Sequence, residues 1–465
     1  MIALNLGDIA QIVGGRLFAA EPEDAIVGGP VQTDSRLVTP GAIFFALPGE
    51  VTDGALFAVA AVENGAALVI AESEVELPVP VIVVVDGVVA LAALASAVVE
   101  RVRAAGSLSV VAITGSNGKT TTKNLLRAIL EQQAPTVAPQ GSFNNHVGAP
   151  ISMLGIDYGT RYLVVEMGAS GAGEIARLVA VARPDIGVVL KVGLAHVGEF
   201  GGIDAVQRAK SEMVTDLAAD SIALLNADDD RVVAMAGLTE ASVRWFGLSA
   251  TADVRAEDIE ASATGTNFTL VAGETRMPVR LRILGEHHVL NALAALSVAR
   301  ELGIDLAQAI VAIEAVARAE RWRMELLRPP SGAIIINDAY NASPDSMAAA
   351  LKTLAQVRGP LDRTIAVLGE MAELGEYSDE EHDRIGRLVV RLNIRKLIVV
   401  GHGARHIHNA AGLEGSWDGE SVYVATSDEA YDLLREDVGA GDIVLVKSSK
   451  SANLRFLGDR LGGVS

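Results

Sequence analysis

Gly115-Ser-Asn-Gly-Lys-Thr120 sets two glycines, a lysine and a hydroxyl between a β-branched apolar segment, Val110-Val-Ala-Ile-Thr114, and a helix-forming one. Glycines so placed let backbone N–H groups face an anion at a helix N-terminus. Lys119 then reaches terminal phosphates, and Thr120 offers its hydroxyl to Mg2+. Gly115, Ser116, Asn117, Gly118, Lys119, Thr120 and Thr121 are therefore candidate ATP-binding residues. The loop is the short G-x-x-G-K-T form, with Ile113 where the longer form has its first glycine. A plain glycine-rich turn is the alternative; the flanking strand, the helix and the Lys-Thr pair favour nucleotide. Glu166 closes the apolar run Tyr162-Leu-Val-Val165, at a strand's carboxyl end, where open α/β sheets bind ligands. A Mg2+ ligand and a helix-capping glutamate fit that position equally well. His196 and Lys210, taken alone, are a hydrogen-bonded loop histidine and a solvated helix lysine. The polar stretches Asn144-Asn-His146 and Asp338-Ala-Tyr-Asn341 are loops that gain meaning only beside the phosphate loop.

Parallel strands covered by helices position such groups best, and the chain is patterned for them: short apolar runs alternate with helical periodicity almost throughout. The segment from Leu77 to Val102 is the most apolar, but Pro78, Pro80 and Asp86 break it below the roughly 18 residues of a membrane span, leaving a buried strand and an amphipathic helix. A small, polar break near Arg103–Leu108 and a second near Arg318–Met324 predict three domains, at 1–105, 106–320 and 321–465. The second break follows a helix expected over Leu306–Ala319 and precedes a strand expected over Gly332–Asn337. Further strands are expected near Thr364–Leu368, Lys396–Val400 and Ile443–Val446. Ser378 with Glu381 fits a capping box. Gly401-His-Gly403 resembles a dinucleotide loop, but His406 stands at the third-glycine position, so a structural turn is expected.

With 465 residues, three domains can each bury a core. Only 4% aromatic content beside 46 glycines suits α/β folds with many tight turns and argues against a surface of stacked aromatics. The net charge of -20 opposes nucleic-acid binding, which needs clustered cations. The absence of cysteine excludes disulfides, thiolate zinc sites and a thiol nucleophile, leaving hard metals with oxygen or imidazole ligands. The N-terminus lacks the basic and apolar regions of a signal peptide, so a soluble cytoplasmic protein without membrane insertion is expected.

Together these segments resemble the Mur ligases along essentially the whole chain. Thr33-Asp-Ser-Arg36, Pro40–Gly49 and Asp53-Gly54 are similar to the family's uridine-nucleotide domain. The phosphate loop, Ser142–Pro150, Glu166–Ile175 and Leu284–Ala295 are similar to its central domain, and Asp338–Met347, Val367–Gly375 and Val446–Lys450 to its C-terminal one. The fold implied is α/β in three parts: a small α/β N-terminal domain, a P-loop ATPase domain with a mostly parallel sheet, and a Rossmann-like domain that receives the incoming dipeptide.

Ser142-Phe-Asn-Asn-His-Val-Gly-Ala-Pro150 and Tyr340-Asn-Ala-Ser-Pro-Asp-Ser-Met347 replace the Thr-Thr-Pro and His-x-Pro segments of members that add diaminopimelate or lysine. The resemblance thus implies ATP-dependent joining of D-alanyl-D-alanine to UDP-N-acetylmuramoyl-tripeptide through an acyl phosphate. It implies further that Thr120, Glu166, His196 and a carbamylated Lys210 hold Mg2+, two ions in all, with Lys119 on the β/γ-phosphates. A carbamate needs a neutral amine first, so Lys210 must have a lowered pKa.

By the same resemblance Asn291, Arg323 and Asp338 contact ATP, with Arg321 as a substitute for Arg323. Ser35, Arg36, Asn144, Asn145 and His146 face the UDP-sugar, and a monomer is expected. Lys191, where the family commonly has asparagine, and Ala55, where it has histidine, depart from the pattern. Another Mur-type or a folylpolyglutamate-type ligase is the rival within the class; a P-loop switch or a silent nucleotide-binding partner is the rival outside it.

Overall fold

The computed structural model describes residues 1–18, 23–49, 52–139, 141–262, 264–318, 320–415 and 417–464. Among them a nine-stranded sheet occupies the middle of the chain. Seven strands run parallel, in the order Thr136–Val137, Tyr162–Glu166, Ser109–Thr114, Ile186–Val189, Ile222–Asn226, Ser242–Gly247 and Val254–Ser262. The antiparallel strands Gly265–Ala272 and Thr275–Leu281 extend the far edge. Ser109–Thr114 lies between Tyr162–Glu166 and Ile186–Val189, so the chain leaves it in one direction and later returns on its other side. Such a reversal opens a crevice at the strands' carboxyl ends, and the phosphate loop emerges into it.

Ile113 is fully buried within that strand, opposite Glu166 on one side and Val188 on the other. The residue at the missing-glycine position therefore belongs to the sheet, and the loop begins two residues later.

A five-stranded sheet precedes this one. Val31–Gln32, Ile43–Ala46, Leu68–Ala71 and Val81–Val83 are parallel, and Arg16–Phe18 pairs antiparallel at the edge. The apolar segment after Leu77 forms the last of those parallel strands and then the helix Gly87–Ala105. Asp86 caps that helix by accepting from Val88 N at 2.8 Å and Val89 N at 2.9 Å. Leu91, Leu94, Val98 and Val102 on its buried face join one apolar cluster that runs from the N-terminal sheet into the central one. Arg103, at its last turn, donates to Asp185 at 3.0 Å and clamps its end to the central sheet.

The last sheet has six strands, ordered Glu325–Leu327, Ile334–Asn337, Asp442–Lys447, Arg363–Leu368, Lys396–Val400 and Glu420–Val424, all parallel except the first. Its carboxyl ends bring Asp338 and Lys447 side by side, facing the phosphate loop. No helix among the described residues is long and apolar enough to cross a membrane.

Local expectations changed in three places. The helix expected to run to Ala319 stops at Glu314, and Ala319 lies outside the described residues. The strand expected from Gly332 begins at Ile334, because Gly332 holds φ 84° in the turn before it. No capping box forms at Ser378: the 3-10 turn Gly375–Tyr377 runs straight into the helix Ser378–Arg391, so Ser378 is already helical. His382 Nδ1 lies 2.7 Å from its carbonyl, and Glu381 pairs instead with Arg384 at 2.7 Å. Gly401 does open a short 3-10 turn, as expected.

Candidate active site

The phosphate loop depends on backbone geometry that only glycine supplies without strain. Gly115 has φ 152° and Gly118 φ 89°, and a Cβ on Gly118 would collide with Asn291 Oδ1. Ser116 is tied to the neighbouring strand's exit, its N–H donating to Lys191 O at 2.8 Å and its Oγ accepting from Gly193 N at 2.8 Å. Lys119 opens the helix Lys119–Leu130 and folds back to donate to Gly115 O at 2.7 Å. Burial lowers its ammonium's pKa, and Glu166 opposes that shift.

Thr120 Oγ1 meets Glu166 Oε2 at 3.0 Å, and Asn144 Nδ2 donates to Glu166 Oε1 at 2.9 Å. Glu166 is 1% exposed, so a buried carboxylate is hydrogen-bonded by neutral groups alone. The Lys119 and Lys123 ammonium groups offset part of that charge from a distance, and no side-chain cation bonds it directly, which leaves its oxygens able to take a hard cation.

These groups line a cavity of about 520 Å³ between the central and C-terminal sheets. Ser116, Asn117, Gly118, Thr121 and Asn291 line its central-domain wall, and Arg323 and Asp338 its opposite wall. Gly115 lies behind, under Lys119. Asn291 is fixed by Thr122 Oγ1 at 3.3 Å and His288 Nδ1 at 3.1 Å. His287 and His288 are both neutral near pH 7, since burial pulls the first down to about 4 and the second well below its ordinary value. Arg323 reaches Ser142 Oγ at 3.3 Å, with its guanidinium 4.3 Å from the Tyr340 ring centre. Arg321 is held elsewhere by Asp459 at 3.0 Å, so Arg323 is the arginine at the cavity.

His196 also lines the cavity, in a left-handed conformation with φ 61°. Its Nδ1 stands 2.6 Å from Glu373 Oε2 and 3.6 Å from Glu199, but is not aligned as a hydrogen bond. Lys210, on the helix Ile203–Thr215, is 4% exposed and has no hydrogen-bond partner among the described residues. Burial, reinforced by the charge of Lys119, brings its pKa down to about 7.

Of the residues expected on the UDP-sugar, only Asn144 lines this cavity, where it holds Glu166. Ser35 is buried at the start of a 3-10 turn, and Arg36 is paired with Asp34 at 2.6 Å. Asn145 accepts from Gly148 N at 2.8 Å, just ahead of the helix Gly148–Met153, and His146 is exposed. Neither pair reaches the phosphate loop.

Several groups in or beside the cavity carried no role in the sequence reading. Lys447 donates to Asp338 at 2.6 Å; Asp345 pairs with Lys191 at 3.2 Å; Ser343 donates to Asn117 at 3.3 Å. Lys123, one turn beyond Lys119 and fully buried, donates to Gly141 O at 2.6 Å and anchors the loop that carries Ser142 and Asn144. Lys447 stands at a strand's carboxyl end, the signal that picked out Glu166; Asp345 and Ser343 sit where only packing between domains brings them near, and Lys123 lies one helical turn from Lys119.

The family models match in chain order: the Mur ligase family catalytic domain over residues 30–110, the Mur ligase middle domain over 113–299, and the Mur ligase glutamate ligase domain over 322–450. The chain belongs to the Mur ligase family. Among relatives of this Mur ligase, the UDP-N-acetylmuramoyl-tripeptide--D-alanyl-D-alanine ligase of Mycobacterium bovis is 42% identical, over 99% of this chain and 98% of that one. MurF from Acinetobacter baumannii superposes with a TM-score of 0.89 at 30% identity, covering 100% of this chain and 99% of that one. MurF ligase from Thermotoga maritima in complex with ADP gives 0.81 at 28% identity, covering 94% and 97%.

Proposed function

We propose that this Mur ligase joins D-alanyl-D-alanine to UDP-N-acetylmuramoyl-tripeptide with cleavage of ATP to ADP and phosphate. The observation that carries the reading is the likeness to D-alanyl-D-alanine ligases over nearly the full length, across all three parts of the chain. The cavity supports it: a phosphate loop faces a C-terminal domain across a shared space.

A carboxylate is a poor acyl donor because oxide is a poor leaving group. In the proposed reaction a tripeptide carboxylate oxygen attacks the γ-phosphorus of ATP, the bond to the β-phosphate oxygen breaks, and ADP leaves. The dipeptide's amine then attacks the acyl phosphate, loses a proton, and the tetrahedral intermediate expels inorganic phosphate. Crowded anions must be held together and neutralised for this, and no protein nucleophile is needed.

Lys119 places its ammonium at the terminal phosphates, the glycine loop offers its N–H groups, and Asn291 and Arg323 hold the nucleotide from either side. Thr120 and Glu166 are the residues that would hold Mg2+. The carboxylate's direct hydrogen-bond partners are neutral, which leaves its oxygens able to take a hard cation, and His196 has Nε2 left for a ligand because Nδ1 faces Glu373. Bound there, Mg2+ would neutralise charge gathering on the phosphates. Lys210 is suited to take up CO2 as a carbamate, losing a proton, because its amine is substantially neutral near pH 7. A closed C-terminal domain would keep water from the acyl phosphate. The UDP-sugar would lie against the N-terminal domain, where Ser35, Arg36, Asn145 and His146 remain its proposed contacts. Action on such a precursor would put the protein in the bacterial cytoplasm.

Mass analysis of the product tests this reading. With ATP and the UDP-linked tripeptide, D-alanyl-D-alanine should give the pentapeptide adduct, while diaminopimelate or lysine offered on the dipeptide precursor should give none. Addition of either single amino acid would refute the reading.

A further inference from the structure

Lys447 closes the strand Asp442–Lys447, and Asp338 follows the last residue of the adjacent parallel strand, Ile334–Asn337. The lysine is 2% exposed. Its Nζ donates to Asp338 Oδ2 at 2.6 Å, Asp338 O at 3.3 Å and Asn341 O at 3.0 Å, which uses all three ammonium protons. Asp338 Oδ1 meanwhile accepts from Met324 N at 3.0 Å, so both carboxylate oxygens are engaged within the protein.

Met324 follows Arg323, and the turn that presents Arg323 is strained. Trp322 has φ 58° and Met324 φ 50°, left-handed values that side-chain-bearing residues keep only when their surroundings enforce them. Trp322 is fixed by its N–H to Glu325 at 2.9 Å and its indole N–H to Asp459 at 3.0 Å. On the far side of Arg323 the restraint on Met324 is Asp338, backed by Lys447. Tyr340, in the loop that Lys447 pins through Asn341, donates its N–H to Trp322 O at 3.1 Å and lays its ring beside the Arg323 guanidinium.

Resting on the ATP-dependent reading above, we propose that Lys447 is a positioning residue for the nucleotide: through Asp338 it locks the left-handed turn that carries Arg323 into the cavity. Asp338 then shapes the turn as well as lining the cavity, and Arg323 is the group the turn presents to the nucleotide.

A double-mutant cycle on the full chain tests this, reading KM for ATP, kcat, ADP affinity by calorimetry and the melting midpoint without nucleotide. Lys447→Met should raise KM for ATP and weaken ADP at least about tenfold, and should change both less than about twofold when added to Arg323→Ala. A purely structural lysine would lower the melting midpoint and cut kcat equally in both backgrounds. An unchanged KM, an undiminished effect beside Arg323→Ala, or an Arg323→Ala that leaves ADP affinity intact would overturn the proposal. Should Lys447→Met not fold, Asp338→Asn carries the same cycle, since its amide turns a donor on Lys447. Absence of ATP turnover in the unaltered protein would instead refute the ligase reading, and ADP binding separates the two.

Discussion

Glu166 owes its place to a strand that ends at the phosphate loop, and its chemistry to burial among neutral hydrogen-bond partners with the Lys119 ammonium nearby. Glu166→Gln keeps the hydrogen bonds to Thr120 and Asn144 within reach but removes the charge. Ligation should fall about a hundredfold or more if that charge holds a cation, a size typical of losing one such electrostatic group. Full activity in the variant would contradict the assignment.

Lys210 allows a second test at this scale, because its pKa drops from 10.5 to about 7 on folding. Between those values the unfolded chain binds the extra proton, so this group makes stability rise with pH from about 7 to about 10.5; below that window its penalty is constant. Denaturant melts of the protein and of Lys210→Met should therefore show the variant's advantage shrinking as pH rises through that window. A constant difference would mean that Lys210 is not desolvated. Lys210→Ala should also lose activity that short carboxylic acids partly restore, if a carbamate is what Lys210 supplies.

At the level of elements, the glycine loop and its strand were legible because strand, turn and helix signals are contiguous. The same contiguity marked the buried strand and long helix after Leu77. What stayed hidden was set by neighbours distant in sequence. Asn144 reaches Glu166 because Lys123 pins the start of its loop, 18 residues further along the chain, to the helix that follows the phosphate loop. Ser378 has the residues of a capping box but no cap, since the preceding 3-10 turn has already begun the helix. Lys447 had the strand-end signal, yet its partner Asp338 is 109 residues earlier. The helix Gly87–Ala105 has a consequence of its own, because its buried face joins two sheets. Leu94→Ala should cost about 2–5 kcal/mol, the range for emptying a packed leucine site. Denaturant unfolding should then show both sheets losing stability together; separate transitions would contradict a shared core.

For the whole molecule, the C-terminal domain rests on the segment that leaves the strand Ile186–Val189. Lys191 pairs with Asp345, His196 meets Glu373, and Gly198 N donates to Glu373 O at 3.0 Å. Lys191 and Asp345 are partly exposed, so their pairing is worth only about 0.2–1 kcal/mol. The tighter constraint is Gly198, where a Cβ would stand 2.6 Å from Gly375 N. Gly198→Val should pry the domains apart, giving a larger radius of gyration by small-angle scattering and a turnover at least about tenfold lower. An unaltered radius with normal turnover would show that this seat does not govern closure.

That closure matters because the proposed intermediate, an acyl phosphate, is lost to hydrolysis if water reaches it. The most direct test uses UDP-N-acetylmuramoyl-tripeptide whose terminal carboxylate carries 18O, incubated with ATP and Mg2+ with and without D-alanyl-D-alanine. Phosphate release should depend on the dipeptide, with one 18O transferred into each phosphate. Release independent of the dipeptide, or phosphate free of label, would contradict the proposed reaction.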